Sequence, residues 1–130
     1  MITSDVKAKL VGEAAIIYPG PYLNQLRGER IERCCREILL DGVRNLVINF
    51  EETELVNSIG ISLLLGVIDA VDESDGKVVL ANLNTSTREL FDVLGILSKV
   101  EVAGSEEAAL SAMAASNASA PDPKLKAGLL

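Results

Sequence analysis

Apolar and polar positions along this chain change period several times, and each change marks an element. Val6 to Val11 (VKAKLV) and Glu13 to Tyr18 (EAAIIY) have strand character on either side of Gly12. The first carries a polar face at Lys7 and Lys9, so the two predict a hairpin or a bent pair. PGPYLNQ, residues 19–25, reads as loop. Beyond it Ile31, Cys34, Cys35, Ile38 and Leu39 recur at helical spacing, with Arg30, Glu32, Arg33 and Arg36 on the other side. That spacing predicts an amphipathic helix ending near Asp41 and Gly42. Asn45 to Phe50 (NLVINF) is a short apolar run, and Ser58 to Val71 is apolar almost all round, which predicts a buried strand followed by a buried helix.

Asp75 and Gly76 then interrupt the pattern before Lys77 to Ala81 (KVVLA), a β-branched run that closes a strand, helix, strand unit with Asn45 to Phe50. Such a crossover is right-handed in nearly all folds and joins parallel strands. Ser86 with Glu89 makes a capping-box pattern, and Leu90, Phe91 and Leu94 line one helix face as far as Gly95. A last strand is predicted over Lys99 to Val102. Ser105 with Glu106 and Glu107 opens a final helix whose first-turn acids suit its dipole. The class is therefore α/β, organised as one domain over residues 1–116. The remainder, 117–130 (NASAPDPKLKAGLL), has no periodic apolar face and is expected to be an appended mobile tail.

Composition narrows the chemistry. With 48% apolar and 24% charged residues the chain is globular, and with only 3% aromatics its core must be aliphatic. A formal charge of −7 disfavours a nucleic-acid backbone or an anionic membrane as partner and leaves a protein or a small molecule. There is no histidine, so Ser/His/Asp and Cys/His nucleophilic machinery cannot be built and a zinc site lacks its usual ligands. Cys34 and Cys35 are adjacent, point in different directions on a helix and read as reduced core thiols. No glycine-rich phosphate loop is present, and no cofactor or metal is expected. Neither a secretory leader pattern nor an apolar segment of spanning length occurs, so the cytosol is the expected compartment.

One stretch, LVNSIGISLLLG from Leu55 to Gly66, places a hydroxyl between an asparagine and a glycine where the longest apolar run begins. Ser58 there could accept a hydrogen bond from a backbone N–H two or three residues on, a cap worth ~1 kcal/mol. Asn57 offers the same bond, which leaves one of the two for another role. Gly60, Ser62 and Gly66 give the helix a small-residue surface that lets a neighbour approach closely.

The order of these motifs resembles the STAS domain, in particular the bacterial anti-sigma factor antagonists. NLVINF, the loop EETELV, NSIG with its apolar helix, GKVVLANL and a helix ending in LG follow one another as that family's motifs do. The match runs from about Val6 to Leu110 and is most specific from Asn45 to Leu97. The resemblance implies a small mixed sheet with helices packed mainly on one face, and a domain that is not itself an enzyme. It implies a switch in which the serine matching Ser58 is phosphorylated by a kinase-type anti-sigma factor. The unphosphorylated form binds that factor and frees its sigma factor, and a serine phosphatase resets the switch. Carried onto this chain, the phosphorylated residue is Ser58 and the partner-binding set is Asn24, Asn49, Glu54, Asn57, Ser58, Ile59 and Ser62.

Several positions depart from the family pattern in one direction. Its acids before the loop and before the serine appear here as Asn49 and Asn57, its second serine is Ile59, and Asn24, or Leu23 in another alignment, stands where an earlier acid would be. An amide keeps the hydrogen bonding but places no negative charge. Two readings follow: Ser58 is still modified, by a partner adapted to asparagines, or the chain is a divergent STAS sensory or ligand-binding module without the switch. A cavity beside Asn24, Asn49 and Ser58 would favour the second. Serine-dependent hydrolysis with a lysine base ranks last, because Lys77 and Lys99 lie in strand patterns without reach to Ser58.

Overall fold

The computed structural model describes residues 6–119, with side chains as far as Ala114. In chain order the elements are β1 (Lys7–Val11), β2 (Ala14–Tyr18), β3 (Tyr22–Leu23), α1 (Gln25–Leu40), β4 (Asn45–Asn49), β5 (Leu55–Val56) and α2 (Ser58–Glu73). There follow β6 (Lys77–Ala81), α3 (Thr85–Val93), a 3₁₀ turn (Ile96–Ser98), β7 (Glu101–Ala103) and α4 (Glu106–Ser119). The final helix thus includes 117–119, and the tail expectation for 120–130 lies outside the described residues.

Five strands form one sheet in the order β1-β2-β4-β6-β7. β1 and β2 are antiparallel, as expected of a hairpin turning at Gly12, whose φ of +61° suits a residue without Cβ. The other pairings, β2 with β4, β4 with β6 and β6 with β7, are parallel. Alternate residues of each strand serve two cores. Ala15, Ile17, Leu46, Ile48, Val78 and Leu80 pack with α1 and α2 through Ile31, Cys34, Ile38, Leu64, Val67 and Val71. Ile16, Val47, Val79 and Ala81 face the other way, onto Ala109 and Met113 of α4. A sheet covered on both faces needs apolar residues at every position, which is why its strands read as continuous runs rather than alternating ones. Helices therefore cover mainly one face, and α4 alone seals the second.

Three local expectations are corrected. PGPYLNQ is not only loop: it contains β3 and the start of α1, which begins at Gln25, six residues before the first periodic residue, Ile31. The cap of α3 is Asn84, whose side chain accepts from the N–H of Thr87 at 2.8 Å, so Ser86 lies inside the helix instead of capping it. The last strand is shifted to Glu101–Ala103, because the chain first makes the 3₁₀ turn after Gly95. Burial pushes the Cys35 thiol up to about 11 and raises that of Cys34 as well, as fits unreactive core thiols.

Candidate functional site

Two short parallel strands bring two helix starts side by side. β3 pairs with β5, Tyr22 opposite Leu55 and Leu23 opposite Val56, and the ladder continues with the N–H of Asn57 donating to the Leu23 carbonyl at 3.0 Å. Each strand runs directly into an asparagine cap. Asn24 accepts from the N–H of Arg27 at 3.0 Å and starts α1. Asn57 accepts from the N–H of Gly60 at 2.8 Å and starts α2. Gly60 is required here for a second reason: a Cβ on it would collide with the Leu23 carbonyl oxygen, so only glycine lets the strand pass across the first turn.

With the cap made by Asn57, Ser58 is the first residue of α2 and is exposed. The two capping candidates are thus resolved by geometry, and the hydroxyl stands clear of the role local physics would have assigned it. Around it lie exposed apolar side chains at matched positions of the two units. Tyr22 and Leu55 are 43% and 62% exposed, and Leu26 and Ile59, each two residues after its cap, are 55% and 49% exposed. Ser62 is exposed one helical turn beyond Ser58 on the same face. Glu51, Glu52 and Glu54 are exposed in the preceding loop, which is tied to the β3 segment by Thr53 Oγ1 donating to the Gly20 carbonyl at 2.7 Å and by the N–H of Glu54 donating to the Pro21 carbonyl at 2.9 Å.

The structure thus gathers Asn24, Glu54, Asn57, Ser58, Ile59 and Ser62 on one rim but sets Asn49 apart. Asn49 is 2% exposed at the end of β4. Its Oδ1 accepts from the N–H of Glu51 and from Asn82 Nδ2, both at 2.9 Å, and its Nδ2 donates to Glu106 Oε1 at 3.0 Å. The same carboxylate accepts from the Tyr18 hydroxyl at 2.6 Å and pairs with Lys9 at 3.2 Å. The bond from Tyr18, helped by Asn49 and Lys9 and opposed by burial, holds the Glu106 carboxyl below the usual carboxylate range. In the sequence Glu106 stood out only as a first-turn acid of the final helix, and the apolar residues Tyr22, Leu26 and Leu55 carried no assigned role. A signal for the latter existed: YLN and LVN are the same two-residue strand and asparagine cap written twice.

Lys77 and Lys99 pair with Glu101 at 2.9 Å and Asp69 at 3.5 Å, and Lys77 stands at the start of β6, the end of the sheet away from Ser58. Neither is placed as a base. Two clefts also lie at that far end, one of about 340 Å³ lined by residues such as Ile68, Asp72 and Lys77, the other of about 520 Å³ between Val11, Leu110 and Met113. Asn24, Asn49 and Ser58 line neither. Among the described residues no helix is long and apolar enough to cross a membrane.

A five-stranded mixed sheet with paired helix starts at one end thus carries an exposed serine and an apolar rim. The STAS domain model matches residues 6–109, and the chain belongs to that family. A Bordetella bronchiseptica protein provisionally assigned as the anti-sigma factor antagonist BtrV is 30% identical over 90 residues, 69% of this chain and 78% of that protein. The anti-sigma-B factor antagonist of Staphylococcus aureus is 24% identical over 62 residues, which span 48% of this chain and 57% of the relative. In fold the chain is similar to the anti-sigma factor antagonist SpoIIAA in its unphosphorylated form, with TM-score 0.68 and 21% identity over 83% of this chain and 96% of that one. The phosphorylated form of SpoIIAA, from Bacillus, gives 0.69 and 22% over 83% and 98%.

Proposed function

We propose that this chain is an anti-sigma factor antagonist whose rim binds a kinase-type anti-sigma factor and is switched off by phosphorylation of Ser58. The observation that carries the reading is that Asn57 caps α2, leaving Ser58 exposed beside the exposed apolar side chain of Ile59. The rim residues Asn24, Glu54, Asn57, Ile59 and Ser62, with Tyr22, Leu26 and Leu55, supply the contact. Such exposed apolar side chains at one end of a domain are the usual anchors of a protein interface.

A helix start tolerates the modification. The positive end of the α2 dipole and the N–H groups of its first turn accept a phosphate of roughly −1.5 to −2 charge, so the domain stays folded. In the complex the same phosphate would be desolvated against apolar contacts, at a cost of several kcal/mol, while ~1.4 kcal/mol changes affinity tenfold. The exposed acids Glu51, Glu52 and Glu54 add repulsion. Release of the partner follows, and a serine phosphatase restores binding.

The test is incubation with candidate kinase-type anti-sigma factors and ATP, followed by mass spectrometry of the modified residue. Phosphate on Ser58, retention of the partner by Ser58→Ala and its loss in Ser58→Asp are expected. A partner bound equally by the unmodified chain and by Ser58→Asp, with no label at Ser58, would overturn the switch and leave a STAS module that binds without it.

A further inference from the structure

The chemistry around Asn49 asks for an acceptor and a donor on one short side chain. The N–H of Glu51 can only donate, so the atom it meets at 2.9 Å must be an acceptor, while the ionised carboxylate of Glu106 can only accept, so the atom it meets at 3.0 Å must be a donor. An asparagine satisfies both; an aspartate would set a second carboxylate against Glu106. The amide at the end of β4 thus meets an acid supplied by another element, α4, on the face of the sheet that α4 covers.

We infer that Glu106 is a positioning residue that holds, through Asn49, the loop leading into Ser58. The inference rests on the reading of Ser58 as the switch. Glu106 is itself held on three sides, by Tyr18 of β2, by Lys9 of β1 and by its own place in the first turn of α4. Asn82, at the end of β6 with φ +61°, fixes the same Asn49 oxygen from the other side. From the Glu51 amide the chain reaches β5 through Thr53, tied to Gly20, and through Glu54 and Leu55, both donating to the Pro21 carbonyl. Asn57 and Ser58 come next. A displaced Glu51 would thus pass its error along a six-residue path to the phosphoacceptor.

Hydrogen exchange at single backbone amides of the full chain tests this without a kinase. Glu106→Ala should speed exchange at Glu51 by about fivefold or more and raise it at Leu55 and Asn57, while Glu107→Ala, which removes an equivalent first-turn acid outside the cluster, should leave them unchanged. Asn49→Asp alone should have the same effect as Glu106→Ala. The double variant Asn49→Asp with Glu106→Gln, which puts the acid on β4 and the amide on α4, should restore exchange to near the parent rate. Unchanged exchange at Glu51 in Glu106→Ala, or a double variant no better than Asn49→Asp alone, would overturn the pair. Should Glu106→Ala not fold, the comparison of Asn49→Asp with the double variant still decides. Because no phosphate is involved, failure to label Ser58 would sink the switch while leaving the clamp intact, and loss of the clamp would leave the switch reading standing.

Discussion

Two asparagines, Asn49 and Asn57, stand at opposite ends of one loop and are built into opposite surroundings. Asn49 is enclosed, and Glu51, Asn82 and Glu106 engage both its oxygen and its nitrogen. Asn57 spends its oxygen on capping α2, while its nitrogen meets only Tyr22 at a long 3.4 Å on an exposed rim. The contrast separates two jobs. A buried amide must be matched atom for atom, since an unsatisfied polar group there costs more than a formed bond returns. On the rim water can serve, so side chains such as Ser58, Ile59 and Leu55 are left available for contact with another molecule.

Five substitutions would break or sharpen that contrast, and the largest effect belongs to the backbone that leads into the second of these asparagines. Gly60→Ala should destabilise the domain by at least about 3 kcal/mol, because its methyl would collide with the Leu23 carbonyl, and urea unfolding would show it. Asn49→Ala should cost about 2–3 kcal/mol in the same assay, by leaving Glu106, Asn82 and the Glu51 amide without their shared partner.

Tyr18→Phe removes the largest cause of the lowered Glu106 carboxyl and should cost about 1 kcal/mol near pH 7. Its sign with pH is fixed. A carboxyl lowered in the folded state adds stability that is complete above the ordinary value of 4.5 and is lost as pH falls through the lowered one, so the parent and the variant should converge in strong acid. Urea midpoints measured from pH 7 downward check this. Smallest is the rim: Asn57→Ala should cost about 1 kcal/mol as a lost cap, and Ser58→Ala within about 0.5 kcal/mol. Equal losses at the two positions would mean that the serine shares the capping, and the contrast drawn above would fail.

The elements most legible in the sequence were those with a long period or a continuous apolar run. The hairpin at Gly12, the β4, α2, β6 unit and the helix after Ser105 all lie close to where patterning puts them. The two-residue strands were not legible, since β3 and β5 have no periodicity to detect and exist only because they pair with each other. Ser86 misled because its capping-box spacing is local, whereas Asn84 both reaches the Thr87 amide and contacts the Thr53 carbonyl, 31 residues away.

At the site, the sequence by itself determined that a serine stands at the start of the buried helix, beside a competing cap and after three acids, and that amides stand at 24, 49 and 57. Those facts follow from residue identity and spacing alone. Only the tertiary structure decided which of Asn57 and Ser58 makes the cap, that Tyr22 and Leu26 join Leu55 and Ile59 on one rim, and that Asn49 faces inward to Glu106, 57 residues later in the chain. A hydrogen bond across that separation leaves no mark in local pattern. It depends on the sheet bringing the ends of β2 and β4 and Lys9 of β1 to the first turn of α4, where one carboxylate meets a tyrosine, a lysine and an amide at once.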